Sequence, residues 1–128
     1  MKNPKNNLLQ FGSAQLPKKQ ILNLSSEFKK IKDQGKTLPG KYQVMGFLKT
    51  DSPLCRIGFI ASKRLSNKAV KRNRAKRLLR ESFRRISSKI EKDTWIVLIA
   101  RKYILSAKTQ QVQKDLISIC KKAGIWEE

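Results

Sequence analysis

The stretch KAVKRNRAKRLLRESFRR, residues 68–85, places nine Lys or Arg in eighteen positions with only Glu81 against them. At 100° per residue, Ala75, Leu78, Leu79, Ser82, Phe83, Ile86 and Ile90 fall within an arc of roughly 140°. The spacing predicts a helix from about residue 67 to 90, docked on a core through that stripe and entered through a cap at Ser66 or Asn67. The remaining surface is cationic, with Lys76, Arg77, Arg80 and Arg84 on one flank and Arg74 and Arg85 on the other. Arg72 sits at the margin of the apolar arc and is expected to lean over the sheet edge. Arg72, Lys76, Arg80 and Arg84 form an i,i+4 ladder of like charges, each step of which is destabilising, where ordinary helix faces alternate sign. Such a ladder makes sense if another molecule supplies the missing negative charge.

The rest of the chain strengthens that inference. Thirty Lys and Arg against nine Asp and Glu give a net charge of +21, a field that favours polyanions. Arginine is prominent in the helix, and its planar fork bonds phosphate oxygens bidentately and stacks on bases. No apolar run approaches the roughly eighteen residues of a membrane span, and the first thirty residues lack a secretory apolar core. The expectation is a soluble, cytoplasmic nucleic-acid-binding protein. DNA and RNA both remain open at this level, although no helix-turn-helix precedes the basic helix.

The chain has no histidine. This removes His-based metal sites and both the Ser-His and Cys-His nucleophilic systems. Cys55 and Cys120 are far apart, in no ligand-spaced cluster, and read as reduced, small hydrophobes.

Along the sequence, residues 1–19 mix Asn, Lys, Gly and Pro and read as a flexible basic arm, ordered only where Leu16-Pro17 meets a single domain over 20–128. A short helix is expected over 25–34, capped by Ser25 or Ser26, with Phe28 and Ile31 on one face and Gly35 as its stop. Pro39-Gly40 marks a turn. KYQVMGFLKT and CRIGFIASK read as two strands, in a hairpin or adjacent and antiparallel, separated by Asp51-Ser52-Pro53. The basic helix is expected to run until Asp93, followed by TWIVLIA as a strand covered on both faces. A last helix begins at a Ser106 cap, buries Val112, Leu116, Ile119 and Cys120, and stops at Gly124. The order α-β-β-α-β-α describes an α/β class fold, a two-layer sandwich of helices on a small mixed sheet. Residues 55–100 form a crossover between parallel strands, which general statistics make right-handed.

The run RIGFIASKRLSNKAVKRNRAKRLLRESFRR, residues 56–85, resembles the signature region of the bacterial ribonuclease P protein component. The matching residues are Arg72-Asn73-Arg74 followed by Lys76-Arg77, Arg80 and the aromatic Phe83, with a strand ending Ser62-Lys63-Arg64 before them. Phe28 with Gly35 seven residues on, Asp93, and the Ile96–Arg101 run ending Ala-Arg extend the resemblance to about residues 16–123.

That resemblance implies a left-handed crossover in place of the statistical right-handed one. It implies a protein subunit that binds a catalytic RNA and precursor tRNA and enhances removal of the 5′ leader. The chemistry belongs to the RNA and its bound Mg²⁺. Lys63, Arg64, Lys71, Arg72, Asn73, Arg74, Lys76, Arg77, Arg80 and Arg84 are the RNA-binding positions it implies. A cleft for the single-stranded leader is implied beside Phe28, with Lys32 where some members carry a second aromatic, and Tyr42, Phe47 and Arg101 as further candidates. The bland alternative makes Phe28 an ordinary core residue. A structural RNA-binding protein, such as a ribosomal component, would share the charge. A membrane-active amphipathic helix is opposed by the core-facing stripe.

Overall fold

The computed structural model describes residues 25–51 and 55–127. Helix α1 spans Ser25–Gln34, β1 Lys36–Pro39, β2 Gln43–Lys49, β3 Arg56–Ile60, α2 Ala69–Ile86, β4 Thr94–Ala100 and α3 Thr109–Ala123, with 3-10 turns at Ser87–Lys89 and Lys102–Ser106. The expected arm and the Ser52-Pro53 break lie outside the described residues.

The four strands form one mixed sheet in the order β1-β2-β4-β3. β2 pairs antiparallel with β1 and β4, and β3 pairs parallel with β4. Two expectations change here. Lys36–Pro39 is a strand preceding the turn, so the order gains one short element. The two long strands expected to be neighbours, β2 and β3, are not paired, because β4 inserts between them. The central position flanks β4 on both edges, but the strand expected to be covered on both faces is sealed on one only: Trp95 and Ile99 on the other face stay half-buried. β3 and β4 are parallel with α2 between them in sequence, the strand–helix–strand unit expected over residues 55–100.

The core lies on one face of the sheet. Ala75, Leu78, Leu79, Ser82, Phe83 and Ile86 are the buried residues of α2, the same stripe read from the sequence apart from Ile90. Ile90 is buried beyond the helix, which ends at Ile86 and passes into the 3-10 turn. α3 buries Val112, Leu116, Ile119 and Cys120 on the same core. Burial pushes the Cys55 and Cys120 thiols up to about 12, so both remain protonated and act as small apolar groups. The two helix starts are shifted. Lys68 is the N-cap of α2 without a side-chain bond, and Ser66 Oγ accepts instead from the Lys68 N–H at 3.1 Å. α3 begins after Lys108, where Gln111 Oε1 accepts from the Lys108 N–H, while Ser106 closes the preceding 3-10 turn. Gly124 ends α3 in the left-handed region at φ 76°, a conformation that favours glycine.

Candidate nucleic-acid interface

Because strand side chains alternate, the same strands present a second face. Three cross-strand rows run over it. Leu48, Trp95 and Arg56 make the first, Gly46 and Val97 are partners in the second, and Val44, Ile99 and Ile60 make the third. Only α1 packs here. Its Ile31 is buried against Val97, with Phe28, Leu48, Ile60, Trp95 and Ile99 partly buried around them. Gly46 permits the approach: a Cβ there would lie 2.9 Å from Val97 Cγ1 and 3.3 Å from Ile31 Cγ2.

Ten residues of helix cannot cover four strands, and among the described residues a groove of about 210 Å³ lies beside α1. Phe28, Ile31 and Lys32 form its helical wall, and Thr37, Gly46, Ile60, Val97 and Ile99 its floor and far side. That volume is below the roughly 300–1,000 Å³ of small-molecule sites. An apolar floor, one half-buried aromatic ring and one exposed ammonium suit a planar group attached to a phosphate.

The structure brings together two of the five cleft candidates, Phe28 and Lys32. Tyr42 and Phe47 belong to the opposite face, where Phe47 is buried in the main core and Tyr42 packs against it. In β2 the odd-numbered Met45 and Phe47 turn toward α2 and α3, whereas Gly46 turns toward the groove; a register one residue off reverses every side chain. Arg101 does not line the groove either: its Nη1 donates to the Gly40 carbonyl at 2.8 Å. Reading from sequence missed Thr37, Ile60, Val97 and Ile99. The alternation of Arg56, Gly58, Ile60 and of Trp95, Val97, Ile99 is visible in the sequence, but nothing in it says which alternate set remains uncovered.

The cationic positions divide according to their partners. Lys71, Asn73, Arg74 and Arg77 are exposed on α2 and Lys76 is half-exposed; Arg74, Lys76 and Arg77 make no ion pair among the described residues. Lys63 and Arg64 are exposed in the turn three and four residues beyond Ile60, at the groove end of β3. Arg72, expected to lean over the sheet edge, turns back to the loop before α2, its Nη1 donating to the Ser66 carbonyl at 2.9 Å. Arg80 lies over the Phe59 ring, 5.5 Å from its centroid. Arg84 is engaged inside the chain: with Arg85 it holds the Glu81 carboxylate, which keeps the Glu81 carboxyl below its usual range. The ladder of like charge is therefore relieved at its C-terminal end by the one acid in the helix. Toward the N-terminus it is left open.

Comparisons with known proteins agree with this geometry. Residues 16–124 match the family model described as Ribonuclease P. The chain is 34% identical over 107 residues to the ribonuclease P protein component of Caldanaerobacter subterraneus subsp. tengcongensis, covering 84% of this chain and 91% of that one. It is 35% identical over 105 residues to that of Clostridioides difficile, covering 81% and 91%. Among solved structures it superposes on the RNase P protein of Staphylococcus aureus with a TM-score of 0.74 at 28% identity, covering 84% of this chain and 98% of that one. For the Thermotoga maritima protein the values are 0.70, 32%, 79% and 94%.

Proposed function

The chain belongs to the ribonuclease P protein family and is the protein component of that ribonucleoprotein, and from this premise we propose how it engages its two RNAs. The open part of the α2 basic face, with Lys63 and Arg64, binds phosphates of the catalytic RNA. The α1 groove receives the single-stranded 5′ leader of precursor tRNA, with a leader base against Phe28 and a phosphate near Lys32.

The observation that carries this reading is an apolar groove with the exposed Lys32 on its wall, and with Lys63 and Arg64, which make no ion pair among the described residues, in the turn that follows its Ile60. Base–aromatic stacking contributes about 1–3 kcal/mol per base, and each phosphate contact adds a salt-dependent increment. Together they hold the substrate on the complex and screen phosphate repulsion between the two RNAs. The described residues include no group of three acids or thiols able to hold a metal ion. In this reading Mg²⁺ would be held by the RNA and would supply activation of the attacking water, while this chain binds and positions the RNAs. No helix among the described residues is long and apolar enough to cross a membrane, and the cytoplasm, where the RNAs are, is the proposed location.

Reconstitution with a bacterial catalytic RNA and precursor tRNA tests the proposal. At low millimolar Mg²⁺, adding the protein is expected to accelerate leader removal. A cleavage rate that does not respond to the protein would overturn it.

A further inference from the structure

The width of the groove depends on where α1 lies on the sheet, and apolar contacts alone hold this helix lightly. Among its described side chains Ile31 is the only buried apolar one, and Phe28 is half-buried. The other buried side chain is Glu27, whose carboxylate pairs with the guanidinium of Arg56 at the start of β3. The two side chains keep 9% and 23% of their exposure, so the pair is screened less than a surface bridge. Arg56 and Lys30 both lie over the Trp95 ring, 5.6 and 5.4 Å from its centroid, where the ring quadrupole attracts cations. Arg56 and Trp95 are direct partners across the parallel strands. The cluster thus occupies the first cross-strand row, and the groove opens toward the third, at Ile60 and Ile99.

We propose that Glu27 and Arg56 are positioning residues for the groove. Their pair, seated on Trp95, fixes the N-terminal half of α1 over the first row. It thereby holds Phe28 and Lys32 at the distance from Ile60 and Ile99 that admits a strand of RNA. This role rests on the leader reading above. One face of the sheet then carries an anchored end and an open end, and the anchor determines the dimensions of the opening without touching the RNA.

The sign of the charge makes the test discriminating. Glu27→Gln removes a negative charge from a chain of net charge +21, so electrostatics alone would tighten RNA binding. Weaker leader binding can then come only from geometry. The measurement is the affinity of the reconstituted holoenzyme for precursor tRNA with a leader and for the same tRNA without one. The ratio of the two affinities is expected to fall about tenfold in Glu27→Gln, the size of a coupling between groups in contact. The charge-reversed pair, Glu27→Arg with Arg56→Glu, is expected to recover part of that ratio. In the free protein, amide hydrogen exchange of α1 is expected to quicken in Glu27→Gln while that of β4 stays unchanged.

If the wild-type holoenzyme does not distinguish the two tRNAs, the leader reading falls and takes this role with it. If it does, and Glu27→Gln keeps the full ratio or leaves α1 exchange unaltered, the reading stands and the positioning role is overturned. A reversed pair no better than Glu27→Gln would overturn the ion pair as the cause.

Discussion

On the face covered by α2 and α3, Met45, Ile57, Ile96 and Leu98 are at most 1% exposed; on the opposite face Ile60, Trp95 and Ile99, from β3 and β4, stay half-buried. Strand composition does not separate them, since both sets are large and apolar. The difference lies in what covers each set. Among the described residues, two helices of 18 and 15 residues pack on the first face, and one helix of ten residues on the second, about 15 Å long at 1.5 Å per residue. It is this less covered face that the proposed leader site uses. The same cross-strand chemistry contributes stability where it is sealed and recognition where it is not.

The largest effect that would break this comparison comes from truncating one aromatic on each face. Phe83, fully buried and edge-on to Phe59 at 6.2 Å between centroids, is expected to cost about 3–5 kcal/mol as Phe83→Ala in urea unfolding. Phe28→Ala is expected to cost less than about 1.5 kcal/mol of stability and to weaken leader-dependent binding about tenfold. Equal stability losses from the two would mean that Phe28 is a core residue and that the faces do not differ in kind.

A smaller effect concerns the contact between α1 and the sheet. Gly46→Ala puts a Cβ against the stiff, branched Val97 and the one buried apolar residue of α1. A loss of about 1–3 kcal/mol is expected from such overpacking, with slower cleavage of leader-bearing precursor. An alanine accepted without either change would show that α1 does not sit where the groove requires.

The smallest effect sharpens the division within α2. Arg74→Ala is expected to leave stability within about 0.5 kcal/mol and to flatten the log–log salt dependence of RNA binding by about one unit. Arg84→Ala is expected to flatten it by less, because Glu81 already offsets that charge. Identical slopes for the two variants would erase the distinction between open and engaged cations.

The basic helix was the most legible part of the chain. A stripe at helical spacing and a like-charge ladder are local patterns, and α2 buries the residues that its periodicity names. The same holds for α3, for the bounds of α1 and for TWIVLIA, where element type depends on near neighbours. The errors arose where a choice is settled between distant segments. Which strand occupies the centre of the sheet, which alternate residues of β2 face the groove, and where Arg101 finds an acceptor all depend on pairings between segments far apart in sequence. The Glu27–Arg56 pair, 29 residues apart, left no local signal at all.

By itself the sequence determined the charge, the absence of a histidine-based catalytic group, the docked basic helix and a specific likeness to one family. Those follow from composition and from contacts within a few residues, which a linear reading captures. Only the tertiary structure decided that β4 separates β2 from β3, that Phe47 is core and Phe28 is wall, and that an ion pair beside Trp95 joins α1 to β3 next to the groove. In a sheet every residue has two faces and every strand two edges, and only the packing of the other elements selects among them.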